Sequence, residues 1–298
     1  MTEQKNDFGM GSVEQNIIRM AVPMTVAQIL NLLYNLVDRM YIGHIPGASS
    51  LALTGVGITF PIISMITAFA NLFGMGGAPL CSMARGRRDY DAAKRYMQNA
   101  FWMLLAAGVV LTVTGYVIEK PLLYALGASS VTYPYASSYL RIYLLGNMFV
   151  MVGIGMNPFI NAQGFGTMGM VTVGLGALVN IILDPLFIFV FHMGVEGAAI
   201  ATIIAQFLSA LWVLFFLTGE KPDLRLKICW RKPEFTVVKE IVSLGLSNFF
   251  MLFTNSLVQV VCNRQLQLYG GDLYVGVMTV LISVRDVATM VVNGITSG

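Results

Sequence analysis

Long apolar runs dominate this sequence and decide what it can fold into. Hydrophobic residues make up 56% of the 298-residue chain, and charged residues make up only 11%. Water-soluble domains carry about 25% charged residues, so this chain has too few to cover a water-facing surface. It can cover a surface that faces lipid, and we therefore expect an integral membrane protein.

Eight of the apolar runs are long enough to cross a bilayer, which takes about 20 mostly apolar residues in a helix. Membrane β-strands are shorter and alternate in polarity. The sequence therefore predicts an all-α membrane protein with eight transmembrane helices. The predicted spans cover residues 16–43, 51–78, 95–118, 135–160, 166–191, 195–218, 241–268 and 273–296.

Positive charge is concentrated on one side of the predicted bundle. Arginine and lysine cluster in residues 85–95 and 221–239, whereas the connections on the other side are nearly free of them, Lys120 being an exception. Cationic loops stay on the cytoplasmic side of a membrane, so the N-terminus is predicted to be cytoplasmic. The polar residues 1–15 are not typical of a cleavable signal peptide.

A weak internal repeat divides the chain. Residues 15–77 resemble residues 239–298 in pattern: each has a helix with spaced amides, a glycine-containing outer turn and a second helix that ends in glycine-rich sequence. Repeats of this kind are common in transporters. We predict a six-helix N-terminal lobe over 1–218, a cytoplasmic inter-lobe linker over 219–240, and the first two helices of an incomplete second lobe over 241–298.

The first predicted span carries a stripe of polar side chains. Its members are separated by three, four and three residues, which places them on one helix face. They are Gln28, Asn31, Asn35 and Asp38. Ionisable groups inside membrane spans are costly and mark candidate functional sites. The stripe suits the wall of a cavity, and the alternative is a set of interhelical hydrogen bonds that only pack the bundle.

Four oxygen-bearing side chains on three spans are predicted at a similar depth. At 1.5 Å per residue, Asp38 lies about 8 Å, Asp184 about 10 Å and Thr202 about 12 Å below the outer end of its span. Asn180 lies one turn deeper than Asp184. Carboxylate, amide and hydroxyl oxygens suit a small hard cation, and neighbouring buried carboxyl groups also suit a proton. These four residues form the candidate site for a coupling cation.

Further amides extend the candidate cleft. Gln206 follows Thr202 by one helical turn, and the seventh predicted span carries spaced amides but no acid. Together with the amides of the first span, they make up the predicted substrate cleft: Gln28, Asn31, Asn35, Gln206, Asn255 and Gln259.

Several predicted spans also contain prolines and arginines. Proline removes a backbone donor and can bend a helix, so Pro23 and Pro185 are predicted hinges. We interpret three charged residues as members of structural ion pairs, the usual state of charges in membrane spans. They are Arg141 in the fourth span, and Arg285 and Asp286, which are adjacent in the eighth.

Motifs of soluble enzymes are missing from the sequence. It has no Walker A, GxSxG or HExxH pattern, so we expect a protein that is not an enzyme and needs no cofactor beyond a coupling ion. Cys81, Cys229 and Cys262 are widely spaced and predict neither a disulfide framework nor a zinc site. The net charge of +3 does not lie on one face, so no nucleic-acid partner is expected.

Several stretches form a specific combination: Pro23 followed by Asn31-Leu-Leu-Tyr-Asn-Leu-Val-Asp-Arg-Met-Tyr-Ile-Gly43, then Gln163-Gly-Phe-Gly, Asn180-Ile-Ile-Leu-Asp-Pro185 and Gly194-Val-Glu-Gly-Ala-Ala-Ile-Ala-Thr202. In these stretches the chain resembles the MATE (multidrug and toxic compound extrusion) family, and its MepA-like bacterial branch in particular. The similarity extends over the whole chain.

The resemblance implies twelve spans in two six-helix lobes around a central cleft, and export of diverse, often cationic drugs in exchange for Na⁺ or H⁺. It implies that the cation site of the N-terminal lobe is formed by Asp38, Asn180, Asp184 and Thr202. The expected partners are small-molecule drugs and the lipid bilayer, the expected state of the full-length protein is a monomer, and the expected location is the bacterial cell (inner) membrane.

Two departures from the family pattern leave alternatives open. The seventh span has amides where some family members have an acid, and spans 9–12 are absent, which makes the chain look truncated at its C-terminus. One alternative is a lipid-linked oligosaccharide flippase of the same superfamily, which should line its cleft with several cations. Another is a membrane fragment that does not transport.

Overall fold

A computed structural model describes residues 13–45, 49–227 and 234–297, and side chains within 21–45, 50–227, 234–282 and 284–285. The cations Arg231 and Lys232 and the side chain of Asp286 lie outside these ranges. The helices are α1 (Val13–Ile42), α2 (Ser49–Gly86), α3 (Tyr90–Ala125), α4 (Tyr133–Leu145), α5 (Asn147–Ala162), α6 (Gly166–Pro185) with a π-helical turn (Leu186–Val190), α7 (Gly194–Thr218) and α8 (Phe235–Ser297).

All eight predicted spans coincide with helices in the described residues, which confirms the prediction of an all-α membrane protein. By length and hydropathy, five helices of the described chain suit a membrane crossing, or six if the bent pair α4–α5 is one span. α8 is counted once there, although it contains two predicted spans. α1 is outside that count because its polar stripe lowers the mean hydropathy.

The turn between the seventh and eighth spans is shorter than expected. α8 is divided only at Gly271, where φ is 70° and ψ is −168°. Side chains rarely tolerate this conformation, so glycine is required. The result is two helical arms, residues 235–270 and residues 272–297, in place of two helices joined by a loop.

The fourth predicted span consists of two helices. α4 and α5 are bent by 60° where they meet at Gly146. The side chain of Ile203 from α7 occupies the space that a side chain at position 146 would need, so the glycine allows α7 to approach the bend. The proline of α5, Pro158, lies inside that helix and away from the bend.

α2 is the helix around which the described fold is assembled, because it packs against α3, α5 and α8. The Ser256 hydroxyl of α8 donates to the Pro61 carbonyl of α2 over 2.7 Å, and the Phe69 and Phe249 rings meet edge to face at 4.9 Å. α1 packs mainly on α6 and α8, and α6 packs on α7. This order places α1, α6 and α7, the three helices of the candidate cation site, beside one another.

The contact between α8 and α2 leaves no room for a side chain at Gly245. A methyl group there would overlap the backbone carbonyl of Leu72, so the helix backbones would have to separate. We expect Gly245→Ala to lower the free energy of unfolding by about 1–3 kcal/mol, measured by chemical unfolding in detergent. Gly86→Ala is the control, since Gly86 has open space around it. Equal stability of the two variants would contradict this packing.

Candidate cation site and adjoining cavity

The structure brings the four candidate cation ligands into one cluster. The Asn180 amide donates to Asp184 Oδ1 at 3.2 Å and to Thr202 Oγ1 at 3.4 Å. The carboxyl groups of Asp38 and Asp184 are close enough for a side-chain hydrogen bond. Equal depth alone did not require contact. Contact follows because α6 packs between α1 and α7.

The cluster is buried and rich in acceptors. Asp184 is 0% exposed, Asn180 1%, and Asp38 9%. Three of their oxygens, Asp38 Oδ1, Asn180 Oδ1 and Asp184 Oδ2, have no hydrogen-bond partner among the described residues. Buried acceptors without donors are rare in stable proteins. Two carboxyl groups in contact also need a proton or a cation between them.

The donor set suits a small hard cation or a proton. The described residues contain no group of three or more histidine, cysteine or acidic side chains that could hold a metal ion. Here two carboxyl groups are complemented by the Asn180 amide and the Thr202 hydroxyl. Hard neutral and anionic oxygens of this kind fit Na⁺, and the carboxyl pair can equally share a proton.

The backbone changes form directly after the acid of α6. Asn180 and Asp184 are four residues apart and therefore face the same side of the helix. Pro185 has no N–H and ends the α-helix. The following turn is π-helical, with the Phe191 N–H donating to the Leu186 carbonyl at 3.0 Å. Pro23, by contrast, lies inside continuous α1. The hinge roles of both prolines stay predictions.

A cavity of about 300 Å³ adjoins the cluster and is lined by α1, α2, α4, α7 and α8. Asp38 and Thr202 line it, whereas Asn180 and Asp184 do not and lie behind them. Four of the six predicted cleft amides line the cavity: Asn35, Gln206, Asn255 and Gln259.

Gln28 and Asn31 do not line this cavity. They lie one or more turns before Tyr34, the first α1 residue of the lining, and Asn31 is exposed. The Asn31 carbonyl accepts a hydrogen bond from the Asn35 amide at 2.7 Å. The cavity therefore begins closer to the C-terminal end of α1 than the polar stripe predicted.

Three tyrosines of the site were missed by the sequence analysis. Tyr34, Tyr139 and Tyr143 line the cavity together with Thr202, and the rings of Tyr139 and Tyr143 stack at 6.2 Å. A usable signal was present, because Tyr34 precedes Asp38 by one helical turn and Tyr139 precedes Tyr143 by the same spacing.

The arginines within the spans occupy two kinds of position. Arg141 pairs with Glu119 at 2.7 Å, in agreement with its interpretation as an ion-pair member. Arg39 and Arg285 line the cavity, and the Arg39 guanidinium lies 4.5 Å from the centre of the Phe60 ring. The cavity therefore combines one carboxyl group with two guanidinium groups.

Two buried acids beside a polar cavity in a helical membrane bundle are typical of membrane transport proteins. The MatE family model matches residues 23–186, which is more than half of the chain. The chain therefore belongs to the MatE family, whose members are transporters and not enzymes. The prediction that it is not an enzyme is confirmed.

Individual relatives agree with this assignment. The multidrug export protein MepA of Staphylococcus haemolyticus (strain JCSC1435) is 28% identical over 269 residues, which cover 90% of this chain and 59% of MepA. The chain thus spans about three-fifths of the length of that relative.

Solved structures show the same fold. The MATE multidrug transporter DinF-BH matches with a TM-score of 0.91 and 32% identity, over 99% of this chain and 66% of that one. An outward-facing multidrug resistance MATE family transporter of the MOP superfamily matches with a TM-score of 0.86 and 25% identity, over 99% of this chain and 65% of its own.

Asn180 is the donor that holds the cluster together. Asn180→Leu leaves buried acceptors on Asp184 and Thr202 without a partner, so we expect it to lower the free energy of unfolding by about 1–3 kcal/mol, measured by chemical unfolding in detergent. Gln28→Leu removes an amide outside the cavity and should change this free energy by less than about 0.5 kcal/mol. Equal effects of the two substitutions would contradict a structural role for the Asn180 amide.

Proposed function

We propose that the complete protein containing this chain is a cation-coupled antiporter that exports drugs and toxic organic cations across the cell membrane. Asp38, Asn180, Asp184 and Thr202 bind the coupling ion, either Na⁺ or H⁺. The observation that carries the proposal is the cluster of buried acceptor oxygens without donors. Membership of the MatE family and the likeness to a multidrug export protein support drug export.

The position of Asp38 connects ion binding to the cavity. Asp38 lines the cavity, whereas Asp184 lies behind it on α6. A cation or proton between the two carboxyl groups draws α1 towards α6, and its release restores their mutual repulsion. The ion therefore has different affinities for two positions of α1, and that difference is what allows its gradient to drive a conformational change.

The same carboxyl group allows exchange. A cationic drug in the cavity reaches Asp38, so the drug and the coupling ion compete for one charge. The tyrosines offer aromatic faces and hydroxyl groups for planar cations, and the amides fix orientation. The volume of about 300 Å³ is at the lower end of the range for small-molecule pockets.

The proposal includes the oligomeric state, the location and the orientation of the protein. The complete protein is a monomer in the bacterial cell (inner) membrane, with its N-terminus in the cytoplasm. This orientation is supported by the concentration of arginine and lysine in residues 85–95 and 221–239.

A lipid-linked oligosaccharide flippase is the second candidate, and one observation favours it. Arg39 and Arg285 line one cavity, although they are far apart in sequence, and guanidinium groups bind phosphate oxygens well. Asp38 in the same lining repels a diphosphate, which favours the drug antiporter. Binding of a lipid diphosphate without binding of an organic cation would favour the flippase over the drug antiporter.

The coupling role of Asp38 can be tested in cells that carry the complete reading frame. Asp38→Asn removes the carboxylate, so we expect drug resistance to fall to the level of cells without the transporter at equal expression. Asp91→Asn changes an exposed acid in the first turn of α3 and should leave resistance unchanged. Full resistance in the Asp38 variant would overturn the assignment of the site.

A further inference from the structure

The segment after α7, residues 219–227, is a folded strap in the structure. Charged and apolar residues alternate between Lys221 and Lys227, and burial alternates with them, so that Leu224 and Leu226 are buried while their charged neighbours are exposed. The alternating burial gives the strap one apolar face against the protein and one charged face away from it.

Hydrogen bonds fix the strap in this orientation. The fully buried Gln163, at the end of α5, accepts the Leu224 N–H at 2.9 Å. The Leu226 N–H donates to the Leu217 carbonyl of α7 at 2.8 Å. Because both bonds use the backbone beside the buried leucines, the strap cannot rotate its charged face inward without breaking them.

A second cationic segment adjoins the strap. Arg85 at the end of α2 pairs with Asp223 of the strap at 2.7 Å, which joins the strap to the α2–α3 turn. Arg87 and Arg88 of that turn are exposed. The two segments form one surface, named here the cationic surface, with the exposed side chains of Arg87, Arg88, Lys221, Arg225 and Lys227.

The acids of the same segments offset this charge only partly. Asp223 is engaged by Arg85. Asp89 caps α3 by accepting the Ala92 N–H at 2.9 Å, and Asp91 lies in the first turn of α3, where the helix dipole favours negative charge. Glu220 adds one further acid to the strap. The exposed face keeps an excess of positive charge.

Exposed apolar side chains place the cationic surface at the edge of the lipid. Met83 is 51% exposed and Phe215 72% exposed. Met83 precedes Arg87 by four residues, or about 6 Å along the helix axis, and Phe215 shortly precedes the strap. Tyr90, 47% exposed, has the amphipathic character of interfacial residues. These apolar side chains face the lipid tails and lie within about one turn of the cations. The cations therefore lie at the level of the lipid phosphates.

We infer that the cationic surface binds the headgroups of anionic phospholipids in the leaflet that it faces. Arginine and lysine form charge-assisted hydrogen bonds with phosphate oxygens, and clustered cations next to membrane helices favour anionic lipids. The headgroup of phosphatidylcholine carries a positive choline group beside its phosphate, so we expect it to bind the cationic surface more weakly. The inference needs only a membrane protein and does not rest on ion coupling.

The experiment measures thermal unfolding of the purified chain in detergent with added phosphatidylglycerol or phosphatidylcholine. We expect phosphatidylglycerol to stabilise the wild type more. The double variant Arg225→Gln/Lys227→Gln should bind phosphatidylglycerol on the order of tenfold more weakly, with an unchanged melting temperature in phosphatidylcholine.

The matched control removes two exposed cations elsewhere. Lys120→Gln/Arg264→Gln changes exposed side chains on the opposite predicted side of the membrane, and it should keep the preference for phosphatidylglycerol. Equal stabilisation of the wild type by both lipids would overturn the inference, and so would an equal loss in both double variants. Soluble glycerol phosphate that competes as well as the lipid would assign the surface to free phosphate and would also overturn it.

A charge-preserving variant distinguishes the loss of positive charge from the loss of folding. Arg225→Lys/Lys227→Arg keeps both positive charges and should keep the lipid preference. In the wild type, salt should reduce the preference, because screening shortens the reach of exposed charges from about 30 Å at 0.01 M to about 3 Å at 1 M. A preference that does not respond to salt would contradict electrostatic binding.

Discussion

Two carboxyl groups in contact inside a bundle of membrane helices impose the constraint on which the rest of this structure depends. Burying one unpaired ion costs several kcal/mol, and two adjacent carboxylates also repel each other. Asp38 and Asp184 are nevertheless adjacent, and the Asn180 amide cannot satisfy all of the acceptors around it. The proposed coupling ion supplies the positive charge that this cluster lacks.

The packing of the helices gives this charge a mechanical consequence. α2 joins α3, α5 and α8 into a common body, whereas α1 makes few contacts with α2 and packs mainly on α6 and α8. The acid pair joins α1 to α6. In the proposed mechanism, the position of α1 therefore responds to the charge state of the pair more readily than the position of α2 does. Close contacts such as that at Gly245 hold α2 and α8 together independently of any ion.

Some of this could be predicted from the sequence because helices have a fixed rise and period. The rise placed Asp38, Asp184 and Thr202 at similar depths before any contact was known, and the period placed Asn180 beside Asp184. The tyrosines were missed although their helical spacing was visible, because the sequence alone does not distinguish an aromatic residue that lines a cavity from one that packs in the bundle or faces lipid. The bend at Gly146 depends on the approach of Ile203 from another helix, and no local pattern encodes that approach. The strap was predicted only as a polar linker, since seven alternating residues are too short to distinguish a folded segment from a loop.

The most direct test of the coupling site is drug transport by the complete protein in liposomes, with a Na⁺ gradient and a pH gradient imposed separately. The account predicts that at least one gradient drives drug movement in the wild type. In Asp184→Asn, which keeps the size of the side chain and an acceptor for Asn180, neither gradient should do so. Gradient-driven transport at the wild-type rate in Asp184→Asn would contradict the account, because the buried acid pair would then not be where the ion is coupled.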